Sequence, residues 1–300
     1  LEMCSYNETE VTDILLLGFH DINNYKSPLF ILFLLIYSVI LCGNILIFSL
    51  VTLMENLQMP MFFFLKHLGL ADVLLTTSVV PMMLHIILND ELIITLVGCI
   101  GQLYIFGLSG FVQCFLLAVM SYDRYLAICY PLHYISIMSP NVCLLLVAGC
   151  WLLVFILITT DIIMVWQLQF CGFNQIDHFF CDFGPVVALS TSDTSAVLVV
   201  FIPVILIIIS YVFIIHTVLK IVSTTGRQKA FSTCSSHLIV VLLFYGSLVG
   251  IYVVPPRKQS MTISKVLSLS YTLVTPLMNP VIYSLRSKDM KKAFKKMLSF

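Results

Sequence analysis

Seven long apolar runs, at roughly 28–53, 60–86, 97–130, 141–166, 196–222, 230–254 and 263–285, constrain this chain more than any other feature. A helix crosses the hydrocarbon of a bilayer in about 20 apolar residues, so each run is long enough to span it. Hydrophobic residues make up 60% of the 300 and charged residues only 10%, at a mean hydropathy of +1.06. A water-soluble domain cannot cover that much apolar surface, whereas lipid can. The sequence therefore predicts an all-α membrane protein, a seven-transmembrane helix bundle over 28–285. An extracellular segment, 1–27, precedes the bundle, and a cytoplasmic amphipathic helix or tail, 286–300, follows it. No length remains for a separate soluble domain. A formal net charge of zero argues against nucleic acid as a partner.

Pro81, Pro203 and Pro280 lie inside these runs. They would break soluble helices, but a membrane bundle tolerates them as kinks. In the tail, Lys291, Lys292, Lys295 and Lys296 share one broad helical face, with Met290, Phe294, Met297 and Leu298 on another. Such a helix lies flat on an anionic membrane surface. Loop charge sets orientation. One set of loops carries ten basic residues (Arg124, Lys220, Arg227, Lys229, Arg286, Lys288 and the four tail lysines) against four (Lys26, Arg257, Lys258, Lys265) on the other. This places the C-terminus in the cytoplasm and, with an odd number of spans, the N-terminus outside. The sequon Asn7-Glu8-Thr9 is usable only on that outer side, so Asn7 is a candidate glycosylation site of a multi-pass plasma-membrane protein. No cleavable leader is read in the opening residues.

Charged groups within a span are costly and so mark candidate functional positions. Asp72 lies mid-span in the second run, Asp123-Arg124 closes the third, and Asp161 stands near the outer end of the fourth. Around them run five motifs in order. They are Pro60-Met61-Phe62-Phe63-Phe64-Leu65 with Leu70-Ala71-Asp72; Met120-Ser121-Tyr122-Asp123-Arg124-Tyr125-Leu126-Ala127-Ile128-Cys129; Ser210-Tyr211; Lys229-Ala230-Phe231-Ser232-Thr233-Cys234-Ser235-Ser236-His237; and Pro276-Leu277-Met278-Asn279-Pro280-Val281-Ile282-Tyr283-Ser284. Together they resemble the signatures of class II olfactory (odorant) receptors, of the rhodopsin-like G protein-coupled family. The resemblance runs from Gly43-Asn44 to the tail, with Ser121 where alanine is usual.

The resemblance implies an odorant receptor, not an enzyme. It would bind a small odorant and activate a stimulatory, olfactory-type G protein, raising cyclic AMP by population shift rather than by a chemical step. In it Asp123 pairs with Arg124 at rest and Arg124 is released to engage the G protein. Arg227 stands near the inner end of the sixth run with no acid nearby, so no cross-helix bridge to Arg124 is expected. Tyr211, Asn279, Pro280 and Tyr283 belong to the same switch. Asn44, Asp72 and Gln113 form a polar core with Asn279 and Tyr283. No cofactor is implied except a sodium ion near Asp72. That ion is left open, because Gln113 stands where the family usually has glutamate and hard cations favour anionic oxygen.

The resemblance also pairs Cys99 with Cys181 on an oxidising outer face. Cys171 would be half of a second bridge, but Thr191 stands at the other position, so Cys171 stays unpaired or finds Cys4 or another chain. A zinc site at Cys171, His178 and Cys181 is disfavoured because the bridge consumes Cys181, and no metal is expected. Cys42, Cys114, Cys129, Cys143, Cys150 and Cys234 read as packed small hydrophobes.

Counting from the motifs places the ligand pocket in the outer half of the bundle. Phe106, Gly107, Gly110 and Phe111 come from the third helix, Ser195 and Val199 from the fifth, Tyr245, Leu248 and Tyr252 from the sixth, and Leu269 and Thr272 from the seventh. None of these is charged, which suits a small neutral molecule oriented by one or two hydrogen bonds. Asp161 is read as reaching the wet outer interface rather than the pocket. The alternatives are a receptor of the same fold for a metabolite or pheromone, and, further off, a transporter, which would show inverted repeats. His85, His216 and His237 are isolated and read as packed or interfacial histidines.

Overall fold

The computed structural model describes residues 12–19, 23–54, 57–167, 174–183, 186, 197–220, 224–252, 261–286 and 288–298. Its helices are α1 (Lys26–Leu53), α2 (Pro60–Asn89), α3 (Leu96–Cys129), the single turn α4 (Tyr134–Ile137), α5 (Pro140–Trp166), α6 (Val197–Lys220), α7 (Thr224–Tyr252), α8 (Met261–Leu269), α9 (Thr275–Arg286) and α10 (Lys288–Leu298). A π-helical stretch, Ser270–Val274, joins α8 to α9 without a break. Among the described residues this makes seven long helical stretches, with α4 and α10 on the loop and tail between and after them. Proline begins both α2 and α5. There its missing N–H costs nothing and its fixed φ suits the first turn. The Thr95 side chain caps α3 by accepting from the Gly98 amide at 3.1 Å.

The central helix is α3, which packs on α2, α5 and α6, while α1 packs on α2 and α9. Side chains turned inward, such as Phe64, Leu75, Val112, Met120 and Phe244, are fully buried. The outward faces of α1, α5 and α6 are as apolar as the interior. Ile31, Leu35, Leu145, Leu152, Ile208 and Val212 are each more than half exposed. Helices hydrophobic all round, with apolar residues also on their outside, are built for a lipid surround. Cys42 lies on this outer surface of α1, so the packed position expected for it is corrected. Lipid accepts a thiol as readily as the bundle interior does. Cys114, Cys143 and Cys150 are buried, as expected, and Cys129 is half-buried.

One end of the bundle carries a small sheet. Strand β1 (Asp13–Leu16) lies between β2 (Leu92–Thr95), antiparallel with Leu16 opposite Leu92, and β3 (Gln175–Ile176), parallel with Leu16 beside Ile176. Ile14 and Leu16 face inward and are fully buried. Gly18 follows at φ +61°, and a Cβ there would stand 2.1 Å from a methyl of Ile86, so the position requires glycine on both counts. The Lys265 ammonium, itself buried, donates to the Gly18 carbonyl at 2.5 Å and to Asp177 at 2.6 Å. His178 sits beside it with Nε2 3.3 Å from the Ser268 hydroxyl. Phe19 stacks on Phe179 at 5.3 Å. The sheet is thereby latched to α8 across the mouth of the bundle.

Candidate functional site

Three layers along the bundle hold the polar and aromatic groups. The outer layer begins under the sheet. Cys99 of α3 is bonded to Cys181, with Cα atoms 5.6 Å apart. The Cys181 amide donates to Gln102 Oε1 at 2.9 Å while Gln102 Nε2 donates to the Ser78 carbonyl at 2.7 Å. One side chain thus ties the loop, α3 and α2 together. Below it runs a column of rings. Phe180 lies 4.9 Å from Phe106, Phe106 meets Tyr271 edge-on at 5.7 Å, Tyr271 meets Phe244 at 5.3 Å, and Phe244 meets Tyr245 at 5.1 Å. The Tyr245 hydroxyl donates to the Cys114 carbonyl of α3 at 3.0 Å, bonding α7 to α3 at the foot of the column.

The expected pocket residues fall unevenly around this column. Phe106, Gly110, Tyr245 and Leu248 belong to it or adjoin it, and all but the glycine are buried hydrophobic side chains. Gly107 instead faces α5, where an added Cβ would stand 3.3 Å from Ile158. One residue along a helix turns the side chain by about 100°, which is enough to leave the column. Phe111 and Leu269 are half-buried against the core. Thr272 is fully buried with its hydroxyl committed to the Ser268 carbonyl at 2.7 Å. The residue of the last helix that enters the column is Tyr271, which motif counting passes over because the π turn shifts the register. Ser195, with Asn7, Cys171 and Thr191, lies outside the described residues, as do the side chains of Val199, Tyr252, Arg227 and Tyr283. Asp161 is half-buried on α5.

The middle layer is polar. Asn279 donates to Asp72 Oδ2 at 2.7 Å, and Asn44 Nδ2 donates to the carbonyls of Ile40 at 3.0 Å and Pro276 at 3.2 Å. All three side chains are buried, yet Asp72 Oδ1, Asn44 Oδ1 and Asn279 Oδ1 have no partner. Both amide atoms of Gln113 on α3 are likewise buried without a partner. Unsatisfied buried oxygens on this scale ask for a cation or water. One buried carboxylate with neutral amide oxygens around it is a donor set that fits a single monovalent ion.

The inner layer centres on Asp123, which is fully buried. Arg124 pairs with its Oδ2, with Nε at 3.0 Å. The Tyr134 hydroxyl of α4 donates to its Oδ1 at 2.7 Å. Sequence reasoning missed Tyr134, which stands eleven positions after Asp123 in the connector beyond α3. Tyr211 of α6 and His237 of α7 share a hydrogen bond at 2.7 Å with near-parallel rings. His237 is fully buried, in line with its reading as a packed histidine, and the structure adds its hydrogen bond to Tyr211. Cys129 adds a further link from α3, donating to Thr217 of α6 at 3.2 Å. Beside this layer Leu132 and Ile135 stand 94% and 83% exposed.

Comparison with known proteins identifies the assembly. The family model for olfactory receptors matches residues 33–300. Olfactory receptor 10A7 of Homo sapiens is 45% identical over 99% of this chain and 97% of its own length. Olfactory receptor 5P55 of Mus musculus is 45% identical over 98% of both, and olfactory receptor 5G3 of Homo sapiens 46% identical over 97% and 95%. A family match over nearly the whole chain, with full-length relatives, shows that it belongs to the olfactory receptor family: a seven-helix, multi-pass membrane receptor for odorants that works with a G protein and is not an enzyme.

Proposed function

We propose that this receptor binds a small, neutral, largely apolar odorant among the outer halves of α3, α6, α7 and the α8–α9 helix. The proposal extends to its output, activation of a stimulatory, olfactory-type G protein that raises cyclic AMP. The observation that supports the ligand class is the ring column from Phe180 to Tyr245, apolar on its flanks and reaching from the loop to a bond between α7 and α3. A molecule inserted there acts directly on the bond that joins α7 to α3. The sheet end faces the outside and α10 the cytoplasm, as the loop charges require. On that inner face Arg124 is the group released to the G protein, beside the exposed Leu132 and Ile135, an apolar surface suited to a protein partner. Tyr211, Asn279, Pro280 and Tyr283 carry the change between layers. The test is a panel of neutral volatiles applied to cells bearing the receptor, with cyclic AMP as readout. Arg124→Ala should abolish the response at unchanged surface level. An undiminished response would remove Arg124 from the switch.

The polar layer supports a second element of the reading. Asp72, with the free oxygens of Asn44 and Asn279, would hold a sodium ion in the resting state, supplying a positive charge to a fully buried carboxylate. Replacing sodium by N-methylglucamine in the medium over receptor-bearing membranes should raise odorant potency several-fold in the parent and leave Asp72→Asn unmoved. Potency independent of sodium in the parent would end this element of the reading.

A further inference from the structure

We propose that the Tyr271 hydroxyl is the hydrogen-bond donor that orients the ligand, and that it selects neutral molecules bearing a carbonyl or ether oxygen. The proposal rests on the odorant-receptor reading above and deepens it by naming the recognising group and the ligand chemistry. Tyr271 lies in the π stretch Ser270–Val274. A π turn carries more residues than an α turn, so it re-aims the side chains that follow it, and such turns are frequent at functional sites. Here it brings Tyr271 into the ring column, 4% exposed, edge-on to Phe106 and Phe244.

The hydroxyl itself is seated against α3 at Gly110. A Cβ at that position would stand 2.0 Å from the phenol oxygen, so only glycine admits it. The neighbouring hydroxyls have their protons committed to backbone carbonyls. Ser109 donates to Ile105 at 2.7 Å, Thr272 to Ser268 at 2.7 Å, Ser247 to Leu243 at 2.8 Å and Tyr245 to Cys114 at 3.0 Å. Among the described residues the Tyr271 hydroxyl has no such acceptor. An O–H withdrawn from water without an acceptor is costly, and a ligand oxygen placed over it removes that cost. The surrounding rings supply apolar area for the rest of the molecule.

The experiment uses the full-length receptor on cells, with surface level followed by a terminal tag. The probes are medium-chain aldehydes, ketones and esters, with alkenes of matched length. The receptor should respond to oxygenated members. Tyr271→Phe keeps the ring but loses the donor, and should raise their EC50 about tenfold, the loss of one well-placed bond. Heat stability in detergent should stay unchanged, and any alkene response should shift far less than the response to the oxygenated members, a split that a merely structural role would not give. Gly110→Ala, which forces the phenol off its seat, should give the same selective loss and serves if Tyr271→Phe fails to reach the surface. The proposal is overturned if the parent responds only to molecules lacking an oxygen acceptor, or if both variants leave every oxygenated agonist's EC50 unchanged. Silence of the surface-expressed parent to all volatiles would sink the odorant reading itself, a distinguishable failure.

Discussion

Asp123 accepts bonds from two directions, and the balance between them decides how firmly Arg124 is held. The Tyr134 phenol is the second donor. Burial and the Asp123 charge both push its ionisation well above the ordinary tyrosine value, so it stays a donor at every physiological pH. A hydrogen bond to a charged group contributes about 1.5–3 kcal/mol. Tyr134→Phe should therefore loosen Asp123 and raise ligand-free cyclic AMP several-fold at matched surface level. Unchanged basal signalling would show that Arg124 alone holds the carboxylate. The Asp123-Arg124 pair was legible in the sequence because its partners are adjacent. Tyr134 was not, because a loop residue's reach depends on the turn that carries it. The bond from His237 to Tyr211 was hidden for a similar reason, since the two are 26 positions apart on different helices.

Among the elements, the helices were readable from length and apolar content. The sheet was not. Strands of two to four residues leave no usable alternation, and the partners come from segments some 80 and 160 positions away from β1. The π turn was equally silent, and it is Tyr271 rather than Thr272 that enters the ring column. The latch at the sheet has a pH signature. His178 is held neutral chiefly by burial and then by the Lys265 charge, which move its pKa from the ordinary 6.5 down to about 4, while Asp177 opposes the shift. The unfolded or opened form therefore binds the extra proton. Stability is complete above about pH 6.5 and falls as pH drops from 6.5 toward 4, by roughly 2 kcal/mol at pH 5. Melting in detergent at pH 7.4 and pH 5 should show this loss, and His178→Gln should flatten it. An equal loss in His178→Gln would assign the effect elsewhere.

At the scale of the whole molecule the decisive feature is apolar surface on the outside. Leu152, near the middle of α5, is 62% exposed. In water its replacement by arginine would be harmless, but at mid-span it costs about 3 kcal/mol of insertion. Leu152→Arg should sharply reduce the receptor at the cell surface, and normal delivery would argue that this face of α5 is wet. The placing and length of the apolar runs carried the seven-span reading because bilayer thickness sets helix length. Ligand identity was less legible, since it depends on which two or three side chains share one face.

The cap over the mouth also implies an order of assembly. Strand β1 is made before both of its neighbours, yet β3 follows more than 150 positions later, and the bridge beside that neighbour spans 82 positions. During synthesis the amino end can dock on β2 early but must wait, half-paired, until the second outer loop arrives and is oxidised. A lesion in β1 is thus felt first as a quality-control failure during biogenesis, with export lost before any change in odour response becomes measurable.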